Sequence, residues 1–235
     1  MIESLIMART QQIDQESVPS GASRFVLRPM TVADIPQVTD IERESFPSMW
    51  PPTAYARELK NRLARYFVLI EDSGGEPHPE QTAAPTGSPW RRAMRRLLRG
   101  EREPPPTREL IIGVVGFWMM VDELHIVTIA VRGTFRRQGA GELLIMCAIE
   151  LAMVHGMDAV TLEYRRSNEV ARALYEKYGF VTVGMRPRYY SDNNEDAVIM
   201  TTPPILSRSL QELYWRRKAE YRKRWGDRYR LPETF

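Results

Sequence analysis

Residues 131–141 read VRGTFRRQGAG, a basic loop with two glycines that decides the fold of this chain. The residues before it, Glu123–Val131, form an apolar run of strand length. The residues after it, Gln138–His155, carry apolar side chains over a broad face, which predicts a long helix buried against a sheet. The segment is therefore predicted to run from a strand through a loop into a helix.

This loop has the chemistry of an anion site. A helix begins with N–H groups that have no intrahelical acceptor and with the positive end of its dipole, so it can hold a phosphate. Gly139 and Gly141 let the backbone approach an anion closely, and Arg136 and Arg137 add positive charge. Neither the P-loop pattern nor the G-x-G-x-x-G of dinucleotide-binding folds is present. Taken alone, the glycine pair favours a tight structural turn over a pyrophosphate site.

The remaining pattern predicts an α/β (α+β) fold, with a mixed sheet of six to seven strands and helices on both faces. Residues 1–22 lack periodicity and are expected to form a flexible tail before a folded domain, 23–205. Within that domain, proline in a first turn predicts a short helix over Pro52–Leu63. Residues 73–109 are typical of a mostly disordered, basic insertion, and 206–235 predict a basic helical C-terminal extension.

Positive charge is concentrated in two segments. The chain has a net charge of +3, to which residues 88–103 contribute +4 and residues 206–235 contribute +5, so the rest is acidic. Such appendages suggest contact with a polyanion, either an RNA-rich particle or an anionic membrane surface. Two solvated charged helices are the equally weighted alternative.

Cysteine and histidine usage is sparse. The single cysteine, Cys147, excludes an internal disulfide and is expected to pack in a helix interior. We read no signal peptide and no transmembrane helix, and therefore expect a cytoplasmic protein. No His/Cys/Asp cluster has metal-ligand spacing, so no metal is predicted.

Several spaced blocks resemble the GCN5-related N-acetyltransferase (GNAT) superfamily. Arg136-x-x-Gly139-x-Gly141 matches its acetyl-CoA signature, Arg/Gln-x-x-Gly-x-Gly/Ala at the start of a helix. Further blocks follow in the order of the ribosomal-protein-alanine N-acetyltransferase (RimI-type) family: TLEYRRSN at 161–168, ALYEKYGF at 173–180, RYY at 188–190 and DAVIM at 196–200. The resemblance covers roughly 24–205 apart from the insertion.

The resemblance implies that acetyl-CoA lies in a gap between two splayed parallel strands, Glu123–Val131 and Ala159–Tyr164. It implies backbone contacts to pantetheine at Ile129, Ala130 and Val131, and a further cofactor contact at Asn168. It also implies a pyrophosphate site in the loop and first helical turn, formed by Arg136, Arg137, Gln138, Gly139, Ala140, Gly141 and Glu142.

Two residues are candidates for acid–base catalysis. Glu163 stands at the family's general-base position, with its strand neighbours Leu162 and Tyr164 facing the other way; the alternative is a surface carboxylate paired with Arg165. Tyr175 lies seven residues after Asn168 on the same helical face, and its phenol can protonate a leaving thiolate. The alternative for Tyr175 is an ordinary core aromatic.

The resemblance implies an acceptor site walled by the Phe46–Trp50 loop and by Tyr189 and Tyr190. The expected acceptor is the α-amine of a protein, such as a ribosomal protein that begins with Ala or Ser. Lysine or small-molecule amines stay open as acceptors. A non-catalytic acetyl-CoA-fold module that docks on RNA or the ribosome is the alternative from another class.

Overall fold

The computed structural model describes residues 24–46, 53–72, 109–226 and 229–230. The predicted N-terminal tail and the basic segment 88–103 lie outside the described residues. Within the described part of the chain, no helix is long and apolar enough to cross a membrane.

Eight strands of the described chain form one mixed sheet. They are β1 (Arg24–Pro29), β2 (Ala64–Asp72), β3 (Leu110–Met119), β4 (Glu123–Val131), β5 (Ala159–Arg165), β6 (Val181–Tyr190), β7 (Glu195–Thr201) and β8 (Tyr229–Arg230). Their order across the sheet is β6-β7-β5-β4-β3-β2-β1-β8. Only the β4–β5 and β1–β8 pairs are parallel. The predicted mixed sheet is confirmed, and the two-residue β8 is one strand more than the sequence predicted.

Helices cover both faces of this sheet, as predicted. They are α1 (Ile35–Ser45), α2 (Tyr55–Glu58), α3 (Ala140–Val154), α4 (Glu169–Lys177) and α5 (Arg208–Trp225). One apolar cluster joins α1 and α2 to one face, and a larger cluster joins α3, α4 and α5 to the other. Because helices shield both faces, the first eight residues of β3 are all buried.

The second short helix is a correction to the sequence analysis. The expected helix over Pro52–Leu63 was wrong in length, because only the four residues of α2 are helical among the described residues 53–63. The Leu63 N–H donates to the side-chain oxygen of Asn61 at 3.0 Å, which turns the chain into β2 instead of continuing the helix.

The parallel strands at the centre of the sheet diverge. β4 and β5 pair only from Glu123 opposite Ala159 to Ile126 opposite Leu162. A bulge in β4 at Val127 shifts its register against β3 at the same point. The splayed pair predicted from the resemblance is therefore present, and the gap opens after Ile126.

Helix α5 packs against the body of the domain. Leu210, Tyr214 and Tyr221 are almost fully buried in the larger apolar cluster. The buried carboxylate of Glu150 on α3 accepts hydrogen bonds from the Tyr214 hydroxyl and the Lys218 ammonium. Burial of a carboxylate is tolerated here because it is paired and hydrogen-bonded. The described part of the basic C-terminal segment is thus docked on the fold.

Candidate active site

The loop between β4 and α3 has the backbone of an anion site. Gly139 caps α3 in a left-handed conformation, with φ of +84°. The first bond of the helix runs from the Leu143 N–H to the Gly139 carbonyl at 3.1 Å. The N–H groups of Ala140, Gly141 and Glu142 come before that bond and lie at the positive end of the helix dipole.

The two glycines of this loop also make room for other helices. A Cβ on Gly139 would lie 2.9 Å from both the Trp225 indole nitrogen and a ring carbon of Tyr221, on α5. A Cβ on Gly141 would lie 3.3 Å from a methyl carbon of Leu174 on α4. Sequence reasoning missed this role, because α5 is far from the loop along the chain and no local pattern links the two.

The polar side chains of the loop mostly brace it. The Arg136 guanidinium donates to the Val131 carbonyl at 3.0 Å and to the Ser45 hydroxyl at 3.2 Å. The Gln138 amide donates to the Thr134 carbonyl at 2.8 Å. Arg137 is exposed and adopts a positive φ of 63°. The side chain of Arg137, more than that of Arg136, is therefore available to an anion.

The side chain of Glu142 bonds to residues at the end of α4 and not to the loop. Its carboxylate accepts a hydrogen bond from the Lys177 ammonium at 2.5 Å and from the Tyr178 hydroxyl at 2.7 Å, which ties α3 to the end of α4. The carboxylate also raises the pKa of Tyr178, although burial of the phenol is the larger cause. An anion at this helix start would meet only the backbone N–H of Glu142, not its side chain.

Glu163 lies on β5 at the edge of the gap, and its side chain is only 11% exposed. One carboxylate oxygen is 3.0 Å from His125 Nε2, and the other is 3.1 Å from an Arg186 guanidinium nitrogen. Arg165, the alternative partner, contacts Asp192 at 3.0 Å and Glu195 at 3.4 Å. Glu163 is a carboxylate held by two nitrogen groups at the gap.

Sequence reasoning missed His125 as the partner of Glu163. His125 pairs with Thr161 across the parallel β4–β5 ladder, and its Nδ1 lies 2.9 Å from the Thr161 hydroxyl. Thr161 and Glu163 are two residues apart on β5, so they share a face with His125. The alternation of buried and polar residues on both strands was the available signal, but the register between the strands was not.

Tyr175 is buried on the opposite face of β5. Its ring packs against Tyr164 with centroids 5.7 Å apart and against Phe180 at 5.8 Å. Because Tyr164 follows Glu163 directly in a strand, Glu163 and Tyr175 approach β5 from its two faces. Burial raises the pKa of Tyr175 above its usual value, so its phenol stays protonated at neutral pH. The ring is a core aromatic, and its hydroxyl retains a proton to donate.

The tyrosines at the end of β6 border this region. Tyr190 stacks under the Arg165 guanidinium at 3.9 Å from the ring centroid, and Tyr189 is half exposed. Burial is the main cause that raises the pKa of Tyr190 to about 12, and the charge of Glu163 adds to it. Tyr190 is therefore an electrostatic neighbour of Glu163.

Two other predicted site residues have structural partners. The Asn168 side-chain oxygen accepts a hydrogen bond from the Ala171 N–H at 3.1 Å, which caps α4 and leaves its amide nitrogen for other contacts. Phe46 ends α1 and is partly buried against the smaller apolar cluster. The rest of its loop, 47–52, is outside the described residues.

Two buried polar atoms near the gap and the loop have no hydrogen-bond partner within the described part of the chain. They are the Thr128 hydroxyl, next to the bulge in β4, and the Trp225 indole nitrogen, beside Gly139.

Cys147 is fully buried in α3, and burial raises the pKa of its thiol, so it is suited to packing. Across the described ranges no three His, Cys, Asp or Glu side chains group as metal ligands.

Comparison with known proteins gives a consistent picture. The acetyltransferase (GNAT) family model matches residues 80–180. A putative [ribosomal protein bS18]-alanine N-acetyltransferase of Bacillus subtilis is 29% identical over 178 residues, covering 76% of this chain and 95% of that protein.

Solved structures share the fold. The ribosomal-protein-S18-alanine N-acetyltransferase from Escherichia coli superposes with a TM-score of 0.57 at 23% identity, over 78% of this chain and 96% of that one. A GNAT family acetyltransferase from Elizabethkingia anophelis, solved with acetyl-CoA bound, gives a TM-score of 0.53 at 18% identity, over 77% and 98% of the two chains.

Proposed function

Since residues 80–180 match the GNAT acetyltransferase family and the chain is an acetyl-CoA-dependent acyltransferase, we propose that it acetylates the α-amine at the N-terminus of a protein. The Bacillus subtilis relative carries a name that specifies the alanine of ribosomal protein bS18. A ribosomal protein that begins with Ala or Ser is therefore the proposed substrate. The observation that carries the proposal is the Glu163 carboxylate, held by His125 and Arg186 at the edge of the strand gap.

The residues present fit acetyl-CoA at two places. After Ile126 the backbone of β4 is paired with β3 but not with β5, so one edge of the stretch Ile129–Val131 faces the gap and suits the pantetheine arm. The N–H groups that begin α3 suit the diphosphate, with Arg137 exposed beside them. When bound, acetyl-CoA supplies a thioester, an acyl group already activated towards amines.

Glu163 is proposed as the general base. An α-amine has a pKa of about 8, so most of it is protonated at neutral pH and must lose one proton before it attacks. The carboxylate accepts that proton directly or through one water. His125 and Arg186 orient its two oxygens, and the neighbouring Thr161 hydroxyl fixes the imidazole of His125.

Tyr175 is proposed as the general acid. Its phenol is protonated at neutral pH and makes no hydrogen bond to a described residue, so its proton is available to the departing thiolate. Because base and acid stand on opposite faces of β5, the amine can lose a proton on one side of the gap while the thiolate gains one on the other.

The acceptor peptide is proposed to enter on the Glu163 side. Tyr190 neighbours Glu163, and the half-exposed phenol of Tyr189 can hydrogen-bond a peptide backbone. Phe46 and the loop that follows it are proposed as the opposite wall, which would favour a small first side chain.

A peptide panel tests this function. Release of thiol from acetyl-CoA is measured with short peptides that begin with Ala, Ser, Met or Gly, each beside an N-terminally blocked copy. We expect turnover with Ala and Ser peptides and none with blocked copies. If only lysine side chains or polyamines were acetylated, the proposed substrate would be wrong, although the chain would still be an acyltransferase.

A further inference from the structure

The end of α5 meets the proposed diphosphate site. The place that a Gly139 side chain would occupy is filled by the Tyr221 ring edge and the Trp225 indole nitrogen, each at 2.9 Å. Tyr221 is 2% exposed and belongs to the main core, so this contact is anchored from within the fold. The β4–α3 loop is therefore covered by a helix from the C-terminal segment.

The Trp225 indole N–H is a buried donor that has no acceptor among the described residues. Buried N–H groups in folded proteins nearly always have a partner, and an indole nitrogen can only donate. The nearest feature that calls for donors is the anion site at the start of α3, one residue from Gly139. A phosphate oxygen in that site would supply the missing acceptor.

The charges at this end of α5 favour an anion. A helix C-terminus carries roughly half a negative charge from its dipole, which would repel a phosphate. The last turn of α5, however, contains Arg222, Lys223 and Arg224. The Arg224 guanidinium lies 4.9 Å from the centroid of the Trp225 ring, so a full positive charge lies beside the indole. That charge opposes the partial negative charge of the helix end.

We propose that α5 completes the acetyl-CoA site, with the Trp225 indole N–H donating a hydrogen bond to a phosphate oxygen of the bound cofactor. The inference deepens the proposed function and rests on it. Trp225 acts on cofactor binding only, because the diphosphate is remote from the thioester in acetyl-CoA. Removing its N–H should therefore raise the KM for acetyl-CoA and leave kcat at saturation unchanged.

The test uses Trp225→Phe, which keeps an aromatic ring and removes the donor. Trp215→Phe is the matched control, because Trp215 is on the same helix but is 42% exposed and donates to Gln211 at 3.1 Å. Affinities are measured by calorimetry for acetyl-CoA and for S-acetylpantetheine, which has no phosphate. We expect Trp225→Phe to weaken acetyl-CoA by roughly 10-fold to 100-fold, the usual effect of a hydrogen bond to a charged group. Binding of S-acetylpantetheine, and both affinities of the control, should be unchanged.

A second measurement does not depend on a variant that folds. In the ¹⁵N-labelled wild-type chain, the indole N–H signal of Trp225 should move downfield when CoA is added and stay in place with S-acetylpantetheine. An unmoved signal, or equal acetyl-CoA affinity in Trp225→Phe and wild type, would overturn the proposal. An equal loss of affinity for acetyl-CoA and S-acetylpantetheine would show that Trp225 acts through packing. Tighter binding of acetyl-CoA by the variant would show that α5 obstructs the cofactor site. If the wild-type chain itself fails to bind acetyl-CoA, the proposed function fails first.

Discussion

Replacing Glu163 with glutamine separates catalysis from stability in this site. The change keeps the shape of the side chain and removes its charge, and it leaves Arg186 and His125 with a neutral partner. Arg186 is 56% exposed and can regain water, while His125 keeps its bond to Thr161. An ion pair that is this accessible stabilises a fold by about 1 kcal/mol or less. Glu163→Gln should therefore fold nearly as well as wild type.

Its effect on the rate should be much larger. A positioned general base contributes about 10²-fold to 10⁴-fold, or about 3–5 kcal/mol in the barrier. We expect kcat/KM for an Ala-initiated peptide to fall by at least ~10²-fold near neutral pH. The loss should shrink as the pH rises through about 8, where the α-amine no longer needs a base to become neutral.

The assay is thiol release over a pH series, with urea unfolding of each variant alongside. Glu176→Gln serves as the control, because Glu176 is an exposed carboxylate on α4 paired with Arg172 at 2.8 Å. The control should retain wild-type kcat/KM. A loss of less than about threefold in Glu163→Gln, or a loss that is constant across the pH series, would refute the role of base.

Three further substitutions test the general acid Tyr175, the β4–α3 loop and the stability of the fold at low pH. Tyr175→Phe should lower kcat by ~10²-fold with little change in unfolding free energy, since the ring packing stays; an unchanged kcat would remove Tyr175 from the mechanism. Gly139→Ala should lower the free energy of unfolding in urea by about 2–4 kcal/mol, because the positive φ is strained for alanine and the new Cβ crowds α5. Gly156→Ala is the control: its Cβ would meet nothing within 4 Å, so it should lower the free energy of unfolding by only about 1–2 kcal/mol, from backbone strain. Hydrogen bonds from Ser167 are the main cause that lowers the pKa of Glu195 to about 2, so its stabilisation is present above its ordinary pKa of about 4.5 and is lost as the pH falls towards 2. Glu195→Gln should therefore be less stable than wild type near neutral pH, with urea midpoints that converge as the pH falls below about 4.5; a difference that persisted in acid would contradict this assignment.

The sequence predicted the features that depend on local pattern. The strand–loop–helix at 131–141 was visible because apolar periodicity changes on either side of the glycines. The alternation of side chains along β5 correctly predicted that Glu163 faces away from Leu162 and Tyr164. The mixed sheet followed from the order of the predicted elements, and its splayed centre followed from the family resemblance.

Features that depend on distant partners were not predictable in this way. His125 reaches Glu163 only because of the register between β4 and β5, and the sequence contains no signal for that register. Arg136 is predicted to add charge to the anion site, and two of its nitrogen atoms also donate to Val131 and Ser45, which a spacing pattern cannot reveal. The contact of Trp225 with Gly139 likewise depends on how α5 docks.

The position of the acetyl group on a single peptide tests the proposed reaction most directly. A peptide with N-terminal Ala and an internal Lys is incubated with the chain and acetyl-CoA, and the product is sequenced by tandem mass spectrometry. We expect one acetyl group, on the α-amine of Ala, and at least ~10²-fold less of this product with Glu163→Gln near neutral pH. Acetylation on the Lys side chain instead, or equal product from the variant, would contradict the proposed reaction.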